Sequence, residues 1–361
     1  MLSTVRRWKY QALAVCSALL VVACSTGDVT QSESSDPVTG SDPAMEVNLY
    51  SSRHYDTDRA LYDNFTTETG VKVNLIEADG DELIERVQSE GENSPADVIL
   101  TVDAGRLWRA QEAGLFQPIE SEVLETAIPE SFRQPDGLWF GFSSRARIIV
   151  YNKDKVDPSE LSTYEALTDS KWKGRIAIRS SSNMYNQSMV ASMIEANGLE
   201  ATEAWAQGLV ANFAREPEGN DTDQISAVAD GVADIAIVNS YYVARLANSE
   251  DPTDQEVASK IGMFFPNQDD RGTHINISGG GVAVHAPHRE SAIAFLEYLA
   301  SPEAQALFAD GNNEFPVVAG TPLNNEYLAE FVDRKTDSLQ AEIIGKQNDE
   351  ALKLMDRAGW R

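Results

Sequence analysis

From residue 46 onward, short runs of β-branched residues alternate with stretches of helical periodicity. That alternation restricts the chain to an α/β architecture in which each strand leads into a helix. Strands are predicted over 47–50, 71–77 and 97–102, with helices over 58–70, 81–90 and 104–113. A second series places strands over 175–179, 234–238 and 261–266. Its helices fall over 186–196, 200–213 and 224–230, and another opens at 241–246. Helices over 290–300 and 302–309 and a polar helical tail beyond Leu328 complete the chain. Parallel sheets are the expected result. Two extended runs, 139–151 and 274–285, are long enough to pass between units. Two such crossings between two α/β lobes make a hinged pair with a cleft between them, a favourable place for a ligand. The expected division is a first lobe over 46–142, a second over 143–273, and a return to the first lobe with the C-terminal helices over 274–361.

The first 24 residues read as an address. Arg6, Arg7 and Lys9 precede the apolar stretch 12–23, which is short for a bilayer span. Leu20-Val21-Val22-Ala23-Cys24 resembles a bacterial lipobox, so residues 1–23 are expected to be a lipoprotein signal peptide and Cys24 the lipidated first residue. Residues 24–45 are rich in Ser, Thr, Asp, Gly and Pro and lack aromatics, the composition of a flexible tether. The formal charge is −28, and −31 once the basic residues Arg6, Arg7 and Lys9 are removed, which argues against a nucleic-acid partner. Cys16 and Cys24 are the only cysteines, so the body has no disulfide framework or thiolate metal cluster. Four histidines in the whole chain argue against a multi-histidine zinc or copper site.

The tyrosines are more informative. Tyr50, Tyr62, Tyr151 and Tyr298 sit in apolar periodic segments and are expected to pack there. Tyr164 and Tyr327 lie beside acidic helix starts and read as half-buried. Tyr55, Tyr185, Tyr241 and Tyr242 share a different setting, each just beyond a predicted strand where the next helix begins. In open α/β sheets that rim is where ligands bind. His54 stands beside Tyr55. The consecutive rings of Tyr241 and Tyr242 can meet at one point where the backbone turns, and Asn239-Ser240 supplies a turn.

Several phenols at one point suit either a flat organic ligand or a hard, highly charged cation. Phenolate is a compact anionic oxygen donor, and tyrosine ligates iron in some haem proteins. A free phenol has a pKa of about 10, so it ionises near neutrality only where a metal takes the place of the proton.

With these residues in view, the chain resembles the ferric-iron substrate-binding proteins of bacterial ABC importers, and most closely their Fut-type branch. The resemblance runs from Asn48-Leu49-Tyr50-Ser51-Ser52-Arg53-His54-Tyr55 to the end. It includes Ser94-Pro95-Ala96-Asp97-Val98, Ile178-Arg179-Ser180-Ser181-Ser182, Phe213-Ala214-Arg215-Glu216-Pro217, Phe264-Phe265-Pro266-Asn267-Gln268 and Asn313-Glu314-Phe315-Pro316-Val317. It implies a type II periplasmic-binding-protein fold that closes on iron like half a transferrin. Tyr55, Tyr185, Tyr241 and Tyr242 would be the phenolate ligands, with His54 as an additional or alternative ligand. It further implies a periplasmic monomer that hands Fe³⁺, or alternatively Fe²⁺, to an ABC permease and touches the membrane only through the lipid on Cys24. One branch of the family uses a His, a Glu and the Tyr-Tyr pair with a bound anion. No equivalent Glu is visible here, so the tyrosine-rich site without an obligatory anion is expected.

Fe³⁺ with four phenolates carries a net −1, unfavourable in a closed cleft. Arg245, four residues after Tyr241, shares its helix face and is the expected counter-charge behind the ligands. The competing readings are a binding protein for an organic cation such as a polyamine, and an iron-dependent secreted enzyme. The chain lacks a Gly-x-Ser-x-Gly elbow, a His-Glu-x-x-His helix and a phosphate-binding Walker loop. Ser278-Gly279-Gly280-Gly281 reads as part of a crossing strand with close backbone packing.

Overall fold

The computed structural model describes residues 45–361 except 54 and 338–340. The signal peptide, the Cys24 anchor and nearly all of the tether expected from the sequence therefore lie outside the described residues. The first lobe opens with β1 (Glu46–Ser51), α1 (Asp58–Thr69), β2 (Lys72–Glu77), α2 (Gly80–Glu90), β3 (Val98–Val102), α3 (Ala104–Glu112) and α4 (Glu122–Ala127). The long strand β4 (Phe140–Asn152) leads into β5 (Ile176–Ala177), α5 (Met184–Asn197), α6 (Leu199–Val210), α7 (Asp221–Ala229) and β6 (Ile235–Asn239). Then come α8 (Ser240–Asn248), α9 (Pro252–Lys260) and β7 (Ile261–Phe264). Strand β8 (Ile275–Val282) returns to α10 (Arg289–Leu299), α11 (Pro302–Asn312), β9 (Phe315–Pro316), α12 (Glu326–Ala329) and α13 (Ala341–Ala358). Among the described residues, no helix is long and apolar enough to cross a membrane.

The strands run in the order β2-β1-β3-β8-β4-β6-β5, with β7 and β9 also paired to β4. The two long runs are the crossing strands. Phe140–Ala146 of β4 pairs with β8, and Arg147–Tyr151 pairs with β6, so one strand serves both lobes. β8 in turn pairs with β3. The expectation of parallel sheets holds for β1 with β2 and β3, and for β5 with β6. It fails at the crossings, which run antiparallel to their neighbours. A strand returning from a second lobe enters the sheet from the opposite end, so its direction is reversed. The strand expected over 175–179 shrinks to two residues, and helices α4 and α9 were not anticipated.

Each lobe packs apolar layers on both faces of its sheet, as alternation along buried strands requires. In the first lobe Leu49, Val98 and Leu100 join Phe65, Phe295 and Phe308 on one face, while Tyr50 and Ile99 join Leu83, Leu107 and Trp139 on the other. In the second, Ile149, Ile235 and Ile237 meet Trp172, Trp205 and Trp360, and Ile148, Val150 and Val238 lie opposite among Ile225 and Val243. Helix α13 contributes Leu354 and Met355 to the second lobe's core, while Ala341 at its start packs into the first. Gly279, Gly280 and Gly281 sit in β8, where an added Cβ would fall 2.1–2.4 Å from the carbonyl oxygens of Phe140, Ile99 and Leu138. The glycine run thus permits close strand approach, as expected.

Candidate metal centre

Strand ends deliver the four tyrosines. Tyr55 stands in the segment joining β1 to α1, where its carbonyl accepts from the Asp58 N–H at 3.0 Å. Tyr185 is the second residue of α5, which follows β5. Tyr241 and Tyr242 are the second and third residues of α8, whose N-cap is Asn239 at the end of β6. Successive side chains on a helix diverge by about 100°. The two rings nonetheless lie 4.3 Å apart with a 31° tilt. The rings thus meet inside the first turn of α8, just past Asn239-Ser240, where a turn between elements was expected. The Tyr55 ring meets Tyr241 edge-on at 6.2 Å. Three phenols belong to the second lobe and one to the first.

Electrostatics tie the group together. The Tyr241 hydroxyl is pushed well above the ordinary phenol range by burial first, then by Tyr185, Tyr55 and Tyr242. Tyr55 is pushed up by burial and by Glu314, against the pull of Arg53. Tyr242 is raised by burial, Tyr185 and Asp221. Tyr55, Tyr241 and Tyr242 therefore hold their protons at neutral pH while no cation is bound.

Four arginines lie against these rings, a fifth, Arg147, shares a partner with one of them, and their partners differ. Arg53 lies 4.9 Å from the Tyr55 ring centre and is neutralised by Asp58 at 2.7 Å and Glu314 at 3.0 Å. Arg147 and Arg179 share the buried Asp221, at 2.7 and 3.6 Å. Arg245 stands 5.1 Å from the Tyr242 ring on the exposed side of α8. Arg145 is the exception. It is 2% exposed, 5.6 Å from the Tyr185 ring, and donates to Ser278 Oγ at 2.9 Å. Among the described residues no carboxylate pairs with it, and its Nε and Nη2 lack hydrogen-bond partners. Burial opposes the Arg145 charge, and Tyr185, Glu314, Asp103 and Tyr241 outweigh that opposition.

The cleft beside the tyrosines has a volume of about 800 Å³, with Arg106, Arg109, Arg179, Tyr185 and Tyr242 on its walls. Among the described residues, no group of three or more His, Cys, Asp or Glu side chains is placed to hold a metal. His54 lies outside the described residues. Tyr50, Tyr62 and Tyr298 pack into the core as expected, whereas Tyr164 is fully buried, its hydroxyl donating to the Arg147 carbonyl.

The sequence reading missed Arg145, Arg53, Glu314 and Asp221. A signal for Arg145 was present: two arginines at alternate positions in the otherwise buried run 139–151 demand an explanation, because arginine is rarely fully buried without a partner.

Residues 60–331 match the family model of the bacterial extracellular solute-binding proteins. Iron uptake protein A1 of Synechocystis is 59% identical over 317 residues, covering 88% of this chain and 88% of that protein. The chain belongs to this family. Iron uptake protein A2 of Synechocystis is 55% identical, over 90% of this solute-binding protein and 93% of its own length. A Trichodesmium protein solved in complex with iron and citrate ligands superposes with a TM-score of 0.84. It is 64% identical and covers 88% of this solute-binding protein and 100% of its own chain. The fold of two lobes joined by crossing strands is that of these binding proteins.

Proposed function

We propose that this solute-binding protein captures ferric iron outside the cytoplasm and delivers it to an ABC-type permease, with no chemical transformation. Tyr55, Tyr185, Tyr241 and Tyr242 act as phenolate ligands, and His54, beside Tyr55, is an additional or alternative donor. The observation that carries this reading is the convergence of phenols from both lobes at one cleft, together with a buried guanidinium lacking a carboxylate partner. The likeness to the Synechocystis iron uptake proteins supports it.

Charge balance supports the same cargo. Four phenolates around Fe³⁺ leave one excess negative charge, and Arg145 supplies a buried positive charge that forms no salt bridge among the described residues, with the Glu314 and Asp103 carboxylates acting on it only from farther off. Arg245, on the exposed face of Tyr242, is the second and weaker counter-charge. A polyamine would be repelled by that same arginine, and of the carboxylates lining the cleft, Glu77, Asp79, Asp81 and Asp349, Asp79 and Asp81 are already paired with Arg106 and Arg109.

The cleft is far larger than one ion, and three arginines line it. A small hydroxycarboxylate carried with the iron would fit that room, and the Trichodesmium relative was solved in complex with iron and citrate ligands. The tethered form would be a periplasmic monomer held by lipid at Cys24, with the hinge separating 46–142 from 143–273.

The test is titration of the tether-free protein with ferric nitrilotriacetate, read as a phenolate-to-iron charge-transfer band. Tyr241→Phe and Tyr242→Phe should abolish or shift the band. A protein that stays colourless, yet releases heat with spermidine, refutes the iron reading.

A further inference from the structure

Asp103 adopts a backbone conformation that its residue type resists. It sits between β3 and α3 at φ +81° and ψ 130°, in the region where glycine is unstrained and a side chain is not. An aspartate at such a position points to work for the carboxylate that glycine could not do. Asp103 is fully buried, and its oxygens make three hydrogen bonds. Oδ1 accepts from the Gly105 N–H at 2.8 Å, capping α3, and from Ser188 Oγ at 2.7 Å. Oδ2 accepts from Asn276 Nδ2 at 2.9 Å, and the Asp103 N–H donates to the Ile277 carbonyl at 2.9 Å. Gly105 belongs to the first lobe, Asn276 and Ile277 to the crossing strand, and Ser188 to α5 of the second lobe. One carboxylate therefore joins the three parts that must align when the lobes shut.

Ser188 lies three residues after Tyr185 on α5, on a shared helix face. Whatever holds Ser188 sets the distance of Tyr185 from the first lobe, which carries Tyr55. We propose that Asp103 is a positioning residue for the phenolic site, gripping Ser188 when the lobes are closed and so fixing Tyr185 in its place opposite Tyr55. This rests on the reading of the four tyrosines as iron ligands. With the lobes apart, Asp103 keeps its strained backbone and loses one of its three partners, so the bond to Ser188 favours closure and slows iron release.

Ser188→Ala tests this while leaving the α3 cap and the Asn276 bond intact. The Fe³⁺-loaded variant should release iron to excess chelator about tenfold faster or more, as loss of a hydrogen bond to a buried carboxylate implies. Its charge-transfer band should move toward that of Tyr185→Phe, and Ser188→Thr should restore both properties. Ser188→Ala combined with Tyr185→Phe should release iron no faster than Tyr185→Phe alone. An unmoved band, or rates that multiply in the double variant, would mean that Ser188 serves only general packing, and the inference falls. If the unsubstituted protein itself gives no band with ferric nitrilotriacetate, the iron reading falls and takes this inference with it.

Discussion

Replacing Arg145 with methionine should separate the cost of a buried charge from its use. The guanidinium lies 5.6 Å from the Tyr185 ring centre. A unit positive charge about 6 Å from a unit negative one, at an effective dielectric constant near 20, contributes about 3 kcal/mol. Removing it from a site with one excess negative charge should weaken Fe³⁺ binding by about 100-fold. The iron-free protein should not suffer. Arg145 is buried with two nitrogens lacking partners, and a methionine there gives up one bond to Ser278 while escaping that desolvation. The expected signature is therefore a large loss of affinity with an unchanged or higher melting temperature. Acid release gives an independent reading of the same energy. If four protons replace the metal, about 3 kcal/mol shared among them moves the midpoint of iron release upward by about half a pH unit. Competition with a ferric chelator, followed by the charge-transfer band, measures affinity and midpoint together. Arg245→Ala, on the exposed side of Tyr242, should cost much less. An Arg145→Met protein that folds and binds iron within twofold of the unsubstituted chain would refute the charge argument.

Iron binding should itself release protons, because burial and mutual repulsion keep Tyr55, Tyr241 and Tyr242 protonated in the metal-free cleft. A pH-stat titration should record at least three protons per ferric ion, and a value near zero would contradict phenolate ligation. His274 governs a separate acid response. Burial, with Arg147, Arg271 and Arg145 nearby, holds its imidazole down at about 3 in the folded chain, against about 6.5 when unfolded. Between those values the unfolded chain binds the extra proton, so stability falls as pH drops, by at most about 1.4 kcal/mol per unit from this group. Denaturation of the iron-free protein at stepped pH should give His274→Gln a shallower loss between pH 6 and 4, and identical slopes would exclude His274 as a source.

The legibility of this molecule divides along the range of the interactions. Strands such as 47–50 and 97–102 and their following helices were visible because local periodicity fixes them. The four tyrosines stood out for the same reason, since each follows a strand that hydrophobicity alone can place. Strand direction was not legible: β4 and β8 each contact partners far away in the chain, and no local pattern states from which end a returning strand enters. Strand β5 shrank to Ile176–Ala177 because so short an edge element depends on its neighbour β6. The Asp103 role was half legible. An aspartate before a helix reads as a cap, and it is one, but its bond to Ser188 spans 85 residues and leaves no trace in either segment.

The uneven origin of the phenols has a kinetic consequence. Tyr241 and Tyr242 are neighbours along one helical turn, and Tyr185 rises from the same lobe. On the iron reading, a gaping molecule already presents a three-toothed claw, and an arriving ion can lodge there before the hinge has swung. Tyr55 then works as a bolt, thrown last on loading and drawn first on unloading. Whatever pries the lobes apart at the membrane need only withdraw that single tooth to start the cargo on its way.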